Sequence, residues 1–95
     1  GLLFQKGTYK EGKKNGEWVF YDPKGIKYKE QQYRNDKPDG KWTEYFPDGS
    51  RSSEGSFKDY LKDGKWVYYD KQGNVVYKVI YSGGRKVKEF KPGQN

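Results

Sequence analysis

Short runs of aromatic and β-branched residues alternate along the chain with polar, glycine-bearing stretches, and the alternation has a fixed period. Trp18, Trp42 and Trp66 stand 24 residues apart. Gly16, Gly40 and Gly64 keep that spacing, as do Gly25, Gly49 and Gly73, and Tyr21, Tyr45 and Tyr69. Tyr9, Tyr33, Phe57 and Tyr81 carry the pattern into a fourth copy, and Gly1 is in phase with Gly25. At the far end Phe90 takes the place of a fourth Trp and Lys88 that of the Gly. No insertion or deletion interrupts the count. A period of this length signals one supersecondary unit stacked on copies of itself.

Each unit holds two turn signals. Asn15-Gly16, Asp39-Gly40 and Asp63-Gly64 predict tight turns. Asp22-Pro-Lys-Gly25, Pro47-Asp-Gly49 and Lys71-Gln-Gly73 predict looser ones. Gly, Asn and Asp tolerate positive φ, and Pro presets the first turn position. The runs between them, 17–21, 41–46 and 65–69, with the returns 26–33, 50–57 and 74–81, read as strands. Helix competes only over 26–37, and the repeat argues against it because the equivalent runs are strand-like. The predicted fold is all-β: an open, twisted, single-layer antiparallel meander of repeated β-hairpins. It forms one domain, 1–95, of about four units at 1–24, 25–48, 49–72 and 73–95.

Side chains alternate faces along a strand. Trp18 and Phe20 therefore share one side with Trp42, Phe46, Trp66 and Tyr68. Val19, Tyr21, Tyr45 and Tyr69 take the other. Rings on both faces suit a thin sheet better than a sandwich. Composition agrees: only 31% of residues are hydrophobic, yet 19% are aromatic. With three Leu, two Ile and six Val, a thick aliphatic interior is excluded. The rings, which bury about 150–250 Å² each, must supply most of the apolar area.

The decads Gly-Glu-Trp-Val-Phe-Tyr-Asp-Pro-Lys-Gly at 16–25, Gly-Lys-Trp-Thr-Glu-Tyr-Phe-Pro-Asp-Gly at 40–49 and Gly-Lys-Trp-Val-Tyr-Tyr-Asp-Lys-Gln-Gly at 64–73 resemble the MORN-repeat variant of bacterial proteins, a group often described as antitoxin-like. The spacer Tyr33-Arg-Asn-Asp-Lys-Pro-Asp-Gly40 is similar to that group too. The resemblance implies an open sheet of stacked hairpins used in protein–protein or membrane-associated contacts, and it brings no catalytic residues. The chain departs from the pattern in its degenerate fourth unit and in Glu44, which stands where Phe20 and Tyr68 sit.

The candidate chemistry is sparse. There is no His and no Cys, so the common general bases and nucleophiles are missing. Glu30 and Glu54 recur at one repeat position, which points to structural pairing with a cross-strand Lys. Asp36 with Asp39, and Asp59 with Asp63, fit Asx-type turns better than a metal site. No cofactor or metal is expected, and the chain reads as a non-enzyme. The start Gly-Leu-Leu-Phe shows no signal peptide, and the compartment stays open.

The formal charge of +7 is uneven. Residues 71–95 hold six basic side chains and one acidic one. Arg85, Lys86, Lys88 and Lys91 form a basic end suited to solubility, to guarding a sheet edge or to an anionic lipid surface. Glu89 interrupts them, so nucleic acid is the poorest fit.

The leading expectation is a non-catalytic interaction or scaffolding module with a protein partner, binding through Trp18, Phe20, Tyr21, Trp42, Tyr45, Trp66, Tyr68 and Tyr69. A carbohydrate- or choline-binding repeat is the alternative, because Gly64-Lys-Trp-Val-Tyr-Tyr-Asp is similar to choline-binding hairpins. Contact with an anionic membrane through the basic end is another. The unpaired end strands leave edge-to-edge pairing of two copies open.

Overall fold

The computed structural model describes residues 4–91, so the phase of Gly1 lies outside the described residues. Eight strands follow one another: β1 Phe4–Lys10, β2 Lys13–Tyr21, β3 Lys27–Arg34, β4 Lys37–Tyr45, β5 Arg51–Lys58, β6 Leu61–Tyr69, β7 Val75–Ser82 and β8 Arg85–Phe90. They form one antiparallel sheet in sequence order, each strand bonded to its neighbours in the chain. The all-β, single-layer meander is therefore the observed architecture. The stretch 26–37, where a helix could compete, is β3 and the turn after it.

One part of the reading needs correction. Asn15-Gly16, Asp39-Gly40 and Asp63-Gly64 are not tight turns but lie inside β2, β4 and β6. The tight turns come earlier, at 11–12, 35–36, 59–60 and 83–84. Both residues of each have positive φ: Glu11 and Gly12, Asn35 and Asp36, Asp59 and Tyr60, Gly83 and Gly84. That is the two-residue hairpin geometry whose twist matches the flanking strands.

Gly16, Gly40 and Gly64, with φ of 83°, 93° and 80°, instead serve as bulge residues. The register shows why. Lys6 faces Val19 while Thr8 faces Asn15, so the single intervening residue of β1, Gly7, is matched by three of β2. The same mismatch recurs between β3 and β4, and between β5 and β6. A bulge locally disrupts the ladder and sharpens the twist.

The turns also tie each hairpin to the next. The backbone N–H of Asp36 donates to Lys14 O (3.0 Å), that of Tyr60 to Pro38 O (3.3 Å) and that of Gly84 to Lys62 O (2.9 Å). The looser turns close through Gly25 N–H to Asp22 O, Gly49 N–H to Phe46 O and Gly73 N–H to Asp70 O. In the first and third, the aspartate Oδ1 also accepts two further backbone N–H groups, from Lys24 and Ile26 and from Gln72 and Asn74.

Apolar burial is small and concentrated. Trp18, Phe20, Trp66, Val67 and Val79 are the buried hydrophobic side chains, joined by Gln31 and Ser53. Except for Val67, all lie on the tryptophan side of the sheet by strand alternation and pairing.

Candidate functional site: the tryptophan face

The expected partition of rings between two faces is observed. Cross-strand pairing puts Trp18 opposite Gln31, Gln31 opposite Trp42, Trp42 opposite Gly55, and Trp66 opposite Val79. Phe20 and Tyr68 follow at i+2 on that face. Tyr21, Tyr45 and Tyr69 occupy the other.

Sheets one layer thick have no second layer to cover a ring, so each large ring must lie flat along the sheet or on another ring. Trp18 and Trp66 do so over glycine. A Cβ added at Gly7 would fall into the Trp18 indole, and one at Gly55 into the Trp66 indole. These two glycines are required by the approach of the ring and not by their backbone conformation. The indole then reaches the bulge: Trp18 Nε1–H donates to Thr8 O and Trp66 Nε1–H to Ser56 O, both at 3.0 Å. Thr8 and Ser56 hydroxyls donate across the same bulge to Asn15 O and Asp63 O. The outcome is that Trp18 and Trp66 are only 3% and 0% exposed, and Phe20 is 9% exposed. These three rings of the expected contact surface are therefore structural, because a side chain sealed against its own backbone offers a partner no area.

Trp42 differs. Gln31 holds the position of Gly7 and Gly55, and its Nε2–H donates to Gln32 O at 2.9 Å. That carbonyl is the repeat equivalent of Thr8 O and Ser56 O. A glutamine amide thus takes the acceptor that the indole takes elsewhere. Trp42 leans the other way, onto Trp66, with ring centroids 4.7 Å apart and planes at 36°. It stays half-buried, as does Tyr68, which packs on Tyr77 at 5.6 Å.

Lysines roof the rings. Lys14 Nζ lies 4.9 Å from the Trp18 centroid and 5.1 Å from that of Tyr33. Lys62 Nζ lies 4.8 Å from Trp66 and 5.2 Å from Tyr81. An ammonium over an aromatic face is attracted by the ring quadrupole, and the lysine stem shields the ring edge from water.

The comparison with known families fits this geometry. The family model described as MORN repeat variant matches residues 14–35, 38–59 and 62–82, more than half of the 95 residues. The chain belongs to the MORN repeat variant family. Each matched repeat covers one strand pair, β2–β3, β4–β5 or β6–β7, with the looser turn at its centre. MORN repeats are in general protein- or membrane-interaction modules, and the family is not an enzymatic one. Comparison with curated proteins gives no match.

The opposite face of this MORN sheet is polar. A groove of about 610 Å³ opens there, where Glu17, Glu30, Gln32, Lys41, Tyr45 and Glu54 meet. The repeated carboxylates pair differently from the cross-strand lysine expected of them. Glu30 accepts from the Tyr45 hydroxyl and lies 3.7 Å from Lys27. Glu54 accepts from the Tyr69 hydroxyl at 2.5 Å and pairs with Arg51 at 2.9 Å. Burial and the Glu30 carboxylate together push the Tyr45 phenol up to about 12. The hydrogen bond from Tyr45 holds the Glu30 carboxyl below the ordinary range, while Glu17, sharing a hydrogen bond with Glu30, is raised. Tyr45 and Tyr69 are thus engaged with their own sheet, and Tyr21 is half-buried beside them.

The basic end is also partly spoken for. Lys86 Nζ sits 3.1 Å from Glu89, whose carboxylate also accepts from the Tyr77 hydroxyl. Lys88 Nζ lies 5.1 Å from the Phe90 ring. Arg85 and Lys91 are exposed. Among the described residues no cluster of three or more His, Cys, Asp or Glu could hold a metal.

Reading the sequence missed Gly7, Gly55, Gln31, Lys14 and Lys62. The signal that finds them is the same 24-residue phase: 7, 31, 55 for the ring seat and 14, 38, 62 for the roof.

Proposed function

We propose that this MORN sheet is a non-catalytic binding module that takes a protein partner on its tryptophan face, centred on Trp42 and Tyr68. The observation that carries this reading is the unequal burial of equivalent rings. Trp18 and Trp66 are sealed, while Trp42 between them lacks the glycine seat and keeps part of its ring in solvent. A rigid ring held by neighbours on a flat surface presents contact area at little entropic cost, and Trp and Tyr dominate binding hot spots. The antitoxin-like bacterial setting that the repeats resemble would be one instance of such protein binding.

The test compares the two faces. The protein carrying Trp42→Ala and Tyr68→Ala is used beside one carrying Lys41→Ala and Lys65→Ala on the polar face. Affinity capture from native extract is expected to retain a protein with the wild type and the polar-face variant and to lose it with the ring variant. Loss with the polar-face variant alone would move the site to the groove and refute the reading.

A further inference from the structure

The middle repeat departs from its neighbours at positions that surround one ring pair. Pro38 stands where Lys14 and Lys62 stand, and Glu44 where Phe20 and Tyr68 stand. The mutual geometry of the ring pair is kept, with Phe57 in place of Tyr and with Trp66 packed against both rings, its centroid 4.7 Å from Trp42 and 5.2 Å from Phe57. Trp42 and Phe57 have centroids 6.4 Å apart and planes at 76°. Trp18 with Tyr33 gives 6.4 Å and 78°, and Trp66 with Tyr81 gives 6.2 Å and 79°. In the first and third repeats a lysine ammonium fills the space over the pair, 4.8–4.9 Å from the Trp and 5.1–5.2 Å from the Tyr. Proline at 38 has no ammonium to offer, and among the described residues no cation lies over Trp42.

The charge of the surroundings changes in the matching direction. Glu44 lies on the Trp42 face, one side-chain step along β4, about 7 Å away. It is half-buried, and among the described residues it makes no ion pair. Its cross-strand partner Lys29 instead lies over the Phe20 ring, 4.5 Å from the centroid. A ring face and a carboxylate both favour a cation, and each strengthens where water is partly excluded.

We infer that Trp42, Phe57 and Glu44 form a receptor for a lysine side chain of the protein partner, in the position that Lys14 and Lys62 fill over the flanking ring pairs. The inference rests on the proposed binding face and names the chemistry recognised there. A purely apolar anchor leaves Glu44 without a counter-charge, and an anionic lipid surface is repelled by it. The ammonium of the incoming lysine takes the place over the rings that Lys14 and Lys62 Nζ take in the flanking repeats, and it meets Glu44.

The experiment uses the whole chain, labelled so that the three indole N–H groups are read separately by NMR. The probe is a blocked Gly/Ser peptide with one central lysine, and its control has norleucine at that place. The Trp42 signal is expected to shift saturably with the lysine peptide, at millimolar concentration, and to stay still with norleucine. The Trp18 and Trp66 signals should not move. Pro38→Lys supplies the missing ammonium in cis, at a position where the fold already accommodates lysine twice. It is expected to weaken the peptide about tenfold, and Glu44→Gln about threefold. Equal response to norleucine, or unchanged binding by the Pro38→Lys protein, overturns the proposal. The two readings fail separately. Trp42→Ala removes the partner if this face binds anything, whereas Pro38→Lys removes it only if a cation is what binds.

Discussion

The β1–β2 and β5–β6 hairpins and the β3–β4 hairpin between them share one backbone but treat their tryptophan in opposite ways. In the outer two, glycine on the preceding strand lets the indole lie on the sheet, the bulge carbonyl accepts its N–H, and a lysine roofs it. In the middle one, Gln31 occupies the seat and takes the carbonyl, and Pro38 replaces the roof. Two local differences, neither of them at the tryptophan, convert a structural ring into an available one. In a repeat protein the role of a side chain is therefore decided by its neighbours in the adjacent strand and not by its place in the motif.

The largest expected effect comes from deleting the ring on one side of this contrast. Trp66→Ala should destabilise the protein by about 3–5 kcal/mol, because it empties a sealed site and strands Ser56 O at the bulge. Trp42→Ala should cost less, about 2–3 kcal/mol, since part of the ring stays in water and no indole hydrogen bond is lost. Urea unfolding followed by far-UV circular dichroism measures both. Equal losses would mean that Trp42 is as structural as its neighbours.

Next in size is the seat itself. Gly55→Ala places a methyl group inside the Trp66 indole, and overpacking of this kind costs about 1–3 kcal/mol. The ring must lift, so Trp66 should lose its bond to Ser56 O and its indole N–H should exchange faster with solvent. Gly7→Ala does the same to Trp18 but should cost less. Strand β1 is exposed along its whole length and paired on one side only, so it can yield.

The seat explains how much could be read from the sequence. The period, the strand alternation and the division of rings between faces follow from residues whose spacing has one interpretation. The looser turns followed too, but the tight turns did not, because positive φ serves two purposes. Gly16, Gly40 and Gly64 adopt it inside strands as bulges, while the real turns hold Asn35-Asp36 and Asp59-Tyr60, with Tyr60 at φ 76°. A tyrosine carries no turn signal. The in-phase pairs Glu11-Gly12, Asn35-Asp36 and Gly83-Gly84 betray the position. The special status of Trp42 was legible in principle at 7, 31 and 55. The motif aromatics and glycines repeat without a break there, and only the neighbouring positions 31, 38 and 44 depart from the pattern.

Gln31→Gly tests the comparison by restoring the outer pattern in the middle repeat. Trp42 should drop onto β3, donate to Gln32 O and become buried, and its fluorescence emission should shift to the blue. The net stability change should stay within about 1 kcal/mol, because added burial offsets the roughly 0.5–1 kcal/mol entropic penalty of a glycine in a strand. Binding at the tryptophan face should fall in step with the loss of exposed ring. An unshifted emission would show that Trp66, and not Gln31, holds Trp42 where it is.

The smallest effect lies on the polar face, where the β3–β4 and β5–β6 hairpins carry the same tyrosine–glutamate bond and the contrast between them should vanish. Tyr45→Phe and Tyr69→Phe each remove one hydroxyl donated to a repeated glutamate, and each should cost about 0.5–1.5 kcal/mol, a net hydrogen bond's worth. The pH dependence has a definite sign. Burial, then the Glu30 carboxylate, raises the Tyr45 phenol to about 12 in the folded protein. A raised phenol favours the folded state fully below its unfolded value of about 10, and that contribution disappears as pH climbs through the folded value. Alkaline titration at 295 nm should therefore lose a late-ionising tyrosine in the Tyr45→Phe protein. The Trp42 indole signal should be untouched, because the two faces share strands but not side chains. Movement of that signal would couple the polar ladder to the open ring and extend the contact surface through the sheet.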